Sequence, residues 1–214
     1  GVAGLAQEIG VLPWQMRGRE TRFFERPFTT MESLQEGLLE GLRPYLDKPV
    51  AFFGHSLGAL IAFELTRTLR QENLAPSHFF VSGYGAPHLT VKLPPMHHLA
   101  DEHFVAALQD LDTMPAAILQ NDELLALLLP LLRADFAIYE RYRFQGGEPL
   151  ESPITILGGK ADTLVPPEML LPWQEHTTQQ AEVHLFEGGH FYLHEESTAV
   201  WQIIRQACIL QQAT

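Results

Sequence analysis

The sequence has few cysteines and few basic residues. Cys208 is the single cysteine in 214 residues, so no disulfide can form within the chain and zinc sites built on paired cysteines are excluded. A reducing compartment, the cytoplasm, is therefore the expected location. Lysine and arginine number 14 against 26 acidic residues, which gives a net charge of −12. This balance argues against a nucleic-acid-binding surface and against adsorption to an anionic membrane.

Long hydrophobic runs are also missing. The most apolar stretch, residues 124–132, is far shorter than the roughly 20 residues that span a bilayer. Residues 1–10 lack the basic start and apolar run of a signal peptide. With 46% hydrophobic and 19% charged residues, the composition is that of an ordinary globular protein. The length predicts a single domain, residues 1–214, that is large enough to bury a substantial core.

Short apolar runs alternate with helical patterns along the chain. Each run is bounded by Pro, Gly or Ser, as expected of parallel strands covered on both faces. Strands are predicted at residues 49–53, 78–82, 153–157 and 182–186, with a weaker candidate at 10–14 that contains Pro13. Helices are predicted from Thr30 to near Pro44 and over residues 57–69 and 197–211. The alternation predicts an α/β fold with a mostly parallel sheet and helices on both faces.

One segment interrupts the alternation. About 70 residues without a convincing strand follow the strand at 78–82, and helices are predicted there at 101–111 and 122–142. We interpret residues 93–145 as an inserted helical lid; a plain helical layer on the sheet is the alternative. Leucines lie all round the second helix, which indicates either burial on several sides, the favoured interpretation, or the lining of an apolar channel.

Residues 54–58 read Gly-His-Ser-Leu-Gly and match the pattern G-x-S-x-G. In this pattern a sharp turn from strand to helix lifts the serine above the carboxyl edge of a sheet, and the glycines let the strand and the helix approach closely. The motif alone is only moderately specific. Here it follows a predicted strand and opens a predicted helix, which is the context that the turn requires, so Ser56 is the candidate nucleophile.

A serine nucleophile needs a base, and ten histidines compete for that role. Where this turn occurs, the chain order is Ser, then Asp or Glu, then His. That order excludes His55 and disfavours the other histidines before residue 104, namely His78, His88, His97, His98 and His103. His190 is favoured because it follows two glycines directly after the last predicted strand. The remaining competitors are His176, His184 and His194.

The acid is expected after the preceding strand, where Asp162 follows the exit at residues 158–161. It would orient His190 and stabilise the imidazolium. Glu187 and Asp135 are its rivals. A structural alternative for Asp162 is a turn aspartate that caps residues 164–166.

Acyl transfer also needs donors for the oxyanion. The backbone N–H of Leu57, the residue after the nucleophile, is one candidate. The second normally comes from a loop upstream of the serine turn, and residues 13–20 are the only glycine-bearing candidate.

Several further blocks of sequence accompany the serine motif. They are residues 15–20, 82–83 with 86–88, 132–136, 157–159 with Asp162, and 188–193. With them the sequence resembles the type II thioesterases of the α/β-hydrolase fold, the free-standing editing enzymes of nonribosomal peptide and polyketide synthesis. The resemblance begins at about residue 3, and the family's triad falls on Ser56, Asp162 and His190.

The resemblance implies a serine thioesterase that hydrolyses aberrant or stalled acyl groups from the phosphopantetheine arm of acyl or peptidyl carrier proteins. It implies no metal or bound cofactor, and we expect a monomer. Carrier proteins are usually acidic, as this chain is, so long-range attraction between net charges is not expected, although a local basic patch could steer docking. The arginines that cluster in sequence are Arg17, Arg19, Arg22 and Arg26, and Arg133, Arg141 and Arg143. For any single one of them, an ordinary solvated arginine is the favoured interpretation.

Two departures from the family are visible. Met16-Arg17 stands where Leu-Pro is usual, and the N-terminal strand and glycine-rich loop that supply the second oxyanion donor are absent. We therefore expect the natural protein to extend upstream of Gly1. The alternatives are a small-molecule carboxylesterase or lipase, a synthase-terminating thioesterase excised from a longer chain, and a non-catalytic binding protein.

Overall fold

A computed structural model describes residues 9–89, 94–111 and 116–212. Residue 3, where the resemblance begins, and residue 93, where the predicted insertion begins, lie outside these ranges. Four strands form one sheet: β1 (Ala51–His55), β2 (His78–Ser82), β3 (Ile154–Gly159) and β4 (Ala181–Phe186). All neighbouring pairs are parallel, and the spatial order β1-β2-β3-β4 is the order along the chain. Because parallel strands share a direction, their carboxyl ends meet at one edge, and Ser56 follows β1 at that edge.

The described helices are mostly where the sequence predicted them. The α-helices are α1 (Met31–Leu42), α2 (Leu57–Gln71), α3 (Asp101–Asp110), α4 (Ala116–Leu119), α5 (Asp122–Arg141) and α6 (Ser197–Gln212). Short 3-10 helices are Glu20–Arg22, Arg43–Tyr45, Pro167–Met169, Leu171–His176 and Tyr192–His194. None of the helices in the described residues is long and apolar enough to cross a bilayer.

Both faces of the sheet are covered, as predicted. Because side chains alternate along a strand, Phe79 and Val81 of β2 point to one face and Phe80 points to the other. On the first face, α2 packs through Ala59 and Phe63. On the second face, the core residues are Phe80, Leu157, Tyr192, Val200 and Ile204, the last two from α6. This arrangement is an α/β-hydrolase fold.

One strand prediction was wrong. Residues 10–14 are described and form no strand. Pro13 has no N–H to donate to a ladder, and no other described segment pairs with these residues. The first true strand, β1, lies two residues later than predicted, because pairing runs from Ala51 opposite His78 to His55 opposite Ser82.

The described residues divide into two compact units. The first contains residues 9–12, 38–89 and 144–212, with the sheet, α2 and α6. The second contains residues 13–37, 94–111 and 116–143. It includes most of the predicted insertion and also residues 13–37, which that prediction left out. The single-domain and lid assignments stay predictions.

The second unit packs α5 against α3. Leu129, Leu132 and Phe136 of α5 lie against the buried Phe104 and Leu108 of α3. The expectation that most leucines of α5 are core residues was wrong. Of the seven leucines between residues 124 and 132, only Leu125 is buried, and Leu127 is 54% exposed. Leu124 is also exposed, and the other four leucines are only partly buried.

Candidate active site

Ser56 occupies a strained turn between β1 and α2. Its backbone has φ 53° and ψ −124°, a left-handed conformation that is unfavourable for any residue with a side chain. The turn is held by a hydrogen bond of 2.8 Å from the Ser56 N–H to the Ser82 carbonyl. The turn places Ser56 at the carboxyl edge of the sheet, directly before the first turn of α2, where the helix dipole favours negative charge.

The two glycines of the motif have different roles. A Cβ built on Gly54 would lie 2.2 Å from the carbonyl oxygen of Gly58 and 2.6 Å from the Cα of Ala59. A Cβ on Gly58 would meet nothing within 4 Å. The close approach of strand and helix therefore depends on the missing side chain at Gly54 alone.

Ser56, His190 and Asp162 are joined by hydrogen bonds. The Nε2 atom of His190 lies 3.1 Å from the Oγ atom of Ser56. Its Nδ1 atom lies 2.8 Å from the Oδ2 atom of Asp162. The side chain of His190 is 9% exposed and that of Asp162 is fully buried, so bulk water screens this pair little. A carboxylate on Nδ1 leaves Nε2 free to accept the serine proton.

Asp162 also performs the structural role that was its alternative interpretation. Its Oδ1 atom accepts hydrogen bonds of 2.9 Å from the backbone N–H groups of Leu164 and Val165. The two carboxylate oxygens thus divide the work, because Oδ1 caps the turn while Oδ2 faces His190.

Glycines bring together the turn after β3 that holds Asp162 (the Asp162 turn, residues 160–165) and the segment after β4 that holds His190 (the His190 loop, residues 187–191). A Cβ on Gly159 would lie 2.3 Å from the carbonyl oxygen of Gly189 and 2.6 Å from that of Gly188. Gly188 itself has φ 104°, which glycine adopts without strain. The Ala161 N–H donates to the Gly188 carbonyl at 2.9 Å. The sequence blocks at 157–159 and 188–193 are therefore in direct contact in the fold.

The rival residues are engaged elsewhere. Glu187 is exposed and pairs with Lys160. Asp135 lies in the second unit, where its Oδ2 atom is 2.5 Å from Arg19. His176 contacts His88 at 2.7 Å, and the Nε2 atom of His184 lies 3.1 Å from Oε1 of Glu182. His194 is exposed.

Sequence reasoning missed three polar residues beside the site. His55, excluded as the base by chain order, has its Nδ1 atom 2.9 Å from the Oγ atom of Ser82. Ser82 Oγ lies in turn 2.6 Å from the hydroxyl of Tyr192. The only available signal was that Ser82 and Tyr192 belong to the blocks that carry the family resemblance.

Leu57 is the first residue of α2. A backbone N–H in the first turn has no carbonyl of its own helix to bond, so this group can donate to an oxyanion near Ser56. The expectation that a second donor comes from upstream of Gly1 stays a prediction.

No three His, Cys, Asp or Glu side chains in the described ranges come together as a metal site. A separate cavity of about 240 Å³ is lined by His78 and Pro153, which lie at the amino end of the sheet, and by side chains of β4 and α6. None of Ser56, Asp162 or His190 lines it.

Comparison with known proteins agrees with this geometry. A family model described as a thioesterase domain matches residues 3–208. The gramicidin S biosynthesis protein GrsT of Aneurinibacillus migulanus is 43% identical over 190 residues, which cover 88% of this chain and 74% of that protein. The linear gramicidin dehydrogenase LgrE of Brevibacillus parabrevis is 42% identical over 204 residues, which cover 94% of this chain and 78% of that protein.

Among solved structures, the type II thioesterase BorB from the borrelidin biosynthetic cluster is 36% identical, with a TM-score of 0.81. The match covers 90% of this chain and 79% of BorB. Although one relative is named a dehydrogenase, the family match and the hydrogen-bonded serine and histidine both favour hydrolysis. The chain therefore belongs to the thioesterase domain family, which confirms the resemblance seen in the blocks around Ser56, Asp162 and His190.

Proposed function

We propose that this thioesterase hydrolyses aberrant or stalled acyl groups from the phosphopantetheine thioesters of carrier proteins in nonribosomal peptide and polyketide assembly lines. The observation that carries the proposal is the hydrogen-bonded series Ser56–His190–Asp162, with distances of 3.1 and 2.8 Å. The relatives support the assembly-line context, since GrsT is named for gramicidin S biosynthesis and BorB for the borrelidin cluster.

In the first half of the reaction, Ser56 Oγ attacks the thioester carbonyl. His190 Nε2 takes the hydroxyl proton, and Asp162 holds the resulting imidazolium. As the tetrahedral intermediate collapses, the carbon–sulfur bond breaks and His190 returns the proton to the departing thiolate. The products are an acyl ester on Ser56 and a free phosphopantetheine thiol.

In the second half, water replaces the thiol. His190 takes a proton from the water as its oxygen attacks the ester carbonyl, and then donates that proton to Ser56 Oγ when the carbon–oxygen bond breaks. The carboxylic acid leaves and Ser56 is regenerated. The developing oxyanion is assigned to the Leu57 N–H.

The proposal includes no metal and no bound cofactor, since both half-reactions need only proton transfer and acyl transfer. A monomer in the cytoplasm is the form expected to act. The single cysteine, which forms no disulfide within the chain, supports the cytoplasm.

The test is release of an acetyl group from an acetyl-phosphopantetheinyl carrier protein, compared with hydrolysis of p-nitrophenyl acetate. Ser56→Ala is the control. We expect a higher kcat/KM for the carrier thioester than for the simple ester, and loss of both activities in Ser56→Ala. Faster turnover of the simple ester would favour a carboxylesterase. No turnover of either by a folded protein would favour a binding protein.

A further inference from the structure

Three side chains next to the catalytic histidine form a hydrogen-bonded chain that the mechanism above does not use. His55 Nδ1 lies 2.9 Å from Ser82 Oγ, and Ser82 Oγ lies 2.6 Å from the Tyr192 hydroxyl. Ser82 is fully buried and Tyr192 is 2% exposed. Buried polar groups are costly unless they are paired, so this chain fixes the three side chains relative to one another.

The chain connects three elements that meet at the active site. His55 ends β1 and directly precedes Ser56, and Ser82 ends β2. Tyr192 lies two residues after His190 and begins the 3-10 helix Tyr192–His194, which directly follows the His190 loop. The Tyr192 ring is also stacked on Phe186 at the end of β4, with centroids 5.1 Å apart and planes 8° apart. Tyr192 therefore anchors the His190 loop to both β2 and β4.

The His55 ring also lies against His190 itself. Their ring centroids are 5.0 Å apart. Gly83 makes room for both rings, because a Cβ there would lie 2.7 Å from Cε1 of His55 and 3.3 Å from Cε1 of His190. Gly83 has φ 56°, so the backbone too favours glycine at this position. Packing and hydrogen bonding thus converge on the orientation of His190.

His55 remains uncharged at neutral pH. An imidazolium needs acceptors for two N–H groups, whereas His55 Nε2 is buried and has no hydrogen-bond partner among the described residues. Burial and, to a smaller extent, the neighbouring His190 lower the pKa of His55 to about 4. An uncharged neighbour does not repel the imidazolium that forms on His190 during catalysis.

We propose that His55 is a positioning residue for the general base. Through Ser82 it fixes Tyr192, and with it the loop that directs His190 Nε2 at Ser56 Oγ. The inference rests on the proposed roles of Ser56 and His190. It does not depend on which acyl group or which carrier protein is the substrate.

The proposal is tested by small changes at both ends of the hydrogen-bonded chain that runs from His55 to Tyr192. Tyr192→Phe removes one oxygen, and His55→Leu removes the ring nitrogens. His55→Asn retains a polar group near the position of Nδ1, the atom that faces Ser82. Thr66→Val is the matched control, because it removes a fully buried hydroxyl from α2 that, among the described residues, bonds only the Ala62 carbonyl, at 2.8 Å.

Two rates are measured for each folded variant. The rate at which a fluorophosphonate labels Ser56 reports activation of the nucleophile without any carrier protein. The kcat and KM for acetyl-carrier hydrolysis report turnover. We expect Tyr192→Phe and His55→Leu to lower the labelling rate and kcat by about 10- to 100-fold, with KM changed less than about twofold, because a misplaced base slows chemistry more than binding. His55→Asn is expected to recover most of the loss.

The outcomes separate this inference from the proposed function. Labelling of Tyr192→Phe and His55→Leu at the wild-type rate, or slowing no greater than in Thr66→Val, would overturn the positioning role. If His55→Leu does not fold, Tyr192→Phe decides the question. If the wild type is labelled but does not release acetyl from the carrier, the proposed substrate is wrong, and the labelling rates still test His55.

Discussion

At the scale of the single residue, Asp162 combines two roles that the sequence presented as alternatives. Oδ2 faces His190 at 2.8 Å, while Oδ1 caps the N–H groups of Leu164 and Val165. The aspartate, the serine and the histidine could be placed from sequence because a motif, a chain order and strand ends constrain them. The division of labour between two oxygens is a matter of side-chain orientation, which spacing does not encode.

Two substitutions at Asp162 should separate these roles. Asp162→Asn retains an acceptor for the turn but presents an amide to Nδ1, so we expect kcat to fall by about 10³- to 10⁴-fold with a smaller change in stability. Asp162→Ala should lower kcat comparably and cost about 2 kcal/mol more of unfolding free energy, because one buried and one part-buried N–H group lose their acceptor. The measurements are carrier-thioester kinetics and urea unfolding. Equal stability of Asn and Ala would contradict the capping role.

The chain from His55 through Ser82 to Tyr192 shows what sequence reasoning cannot reach at this scale. The first bond joins residues 27 apart in sequence and the second joins residues 110 apart. Neither separation has a periodicity that sequence patterns reveal. The contacts exist only because parallel pairing brings the ends of β1 and β2 to one edge, and they became visible only with the side chains in place.

At the scale of the element, the serine motif is the turn that joins β1 to α2 within residues 51–71. The sequence predicted β2 with its observed bounds, and α5 and α6 to within one residue at the C-terminus, because alternation and helical periodicity are strong there. It failed at residues 10–14, since an apolar run becomes a strand only when a neighbour pairs with it. It also overestimated the burial of α5, because periodicity does not say how many partners a helix has.

Substitution by alanine should have opposite effects on stability at the two glycines of the serine motif. Gly54→Ala places a Cβ 2.2 Å from the Gly58 carbonyl oxygen, so β1 and α2 must separate. We expect a loss of about 3 kcal/mol or more of unfolding free energy, together with loss of activity. Gly58→Ala meets nothing within 4 Å and improves helix propensity, so its stability should be unchanged or up to about 1 kcal/mol higher.

Chemical denaturation of both variants tests this difference. If Gly58→Ala is destabilised as strongly as Gly54→Ala, both glycines are needed for the close approach, and the assignment to Gly54 alone is wrong.

At the scale of the whole molecule, we expect the stability of this acidic chain, which has ten histidines, to depend on pH. Burial is the main cause that lowers the pKa of His55, His78 and His176, in each case to about 4. Burial has the opposite effect on a carboxyl and raises the pKa of Asp135 to about 6, although Arg19 opposes it. Composition revealed the number of histidines, but which of them are buried is a property of the folded molecule.

Stability should therefore fall as pH is lowered through the range between about 6.5 and about 4. In that range the three histidines bind protons in the unfolded chain but not in the folded one, so acid favours unfolding. Asp135 acts in the opposite direction between about 4 and about 6, because its folded form holds the proton, and it offsets part of the loss. Urea unfolding between pH 7 and pH 5 is the measurement.

His78→Gln should flatten this pH dependence, because it removes one buried titrating group. His103→Gln, at an exposed position of α3, is the matched control and should leave the dependence unchanged. If the unfolding free energy of His78→Gln depends on pH as steeply as that of the wild type and of His103→Gln, titration of His78 does not contribute to acid instability.

The central claim is that Ser56 carries the acyl group between carrier protein and water. It is tested most directly by rapid quenching after the protein is mixed with an acetyl-loaded carrier protein. Peptide mapping by mass spectrometry then locates the acetyl group. We predict a transient acetyl ester on the peptide that contains Ser56, formed as the carrier loses its acetyl group, and neither event in Ser56→Ala. Release of acetate by Ser56→Ala at the wild-type rate would contradict the account.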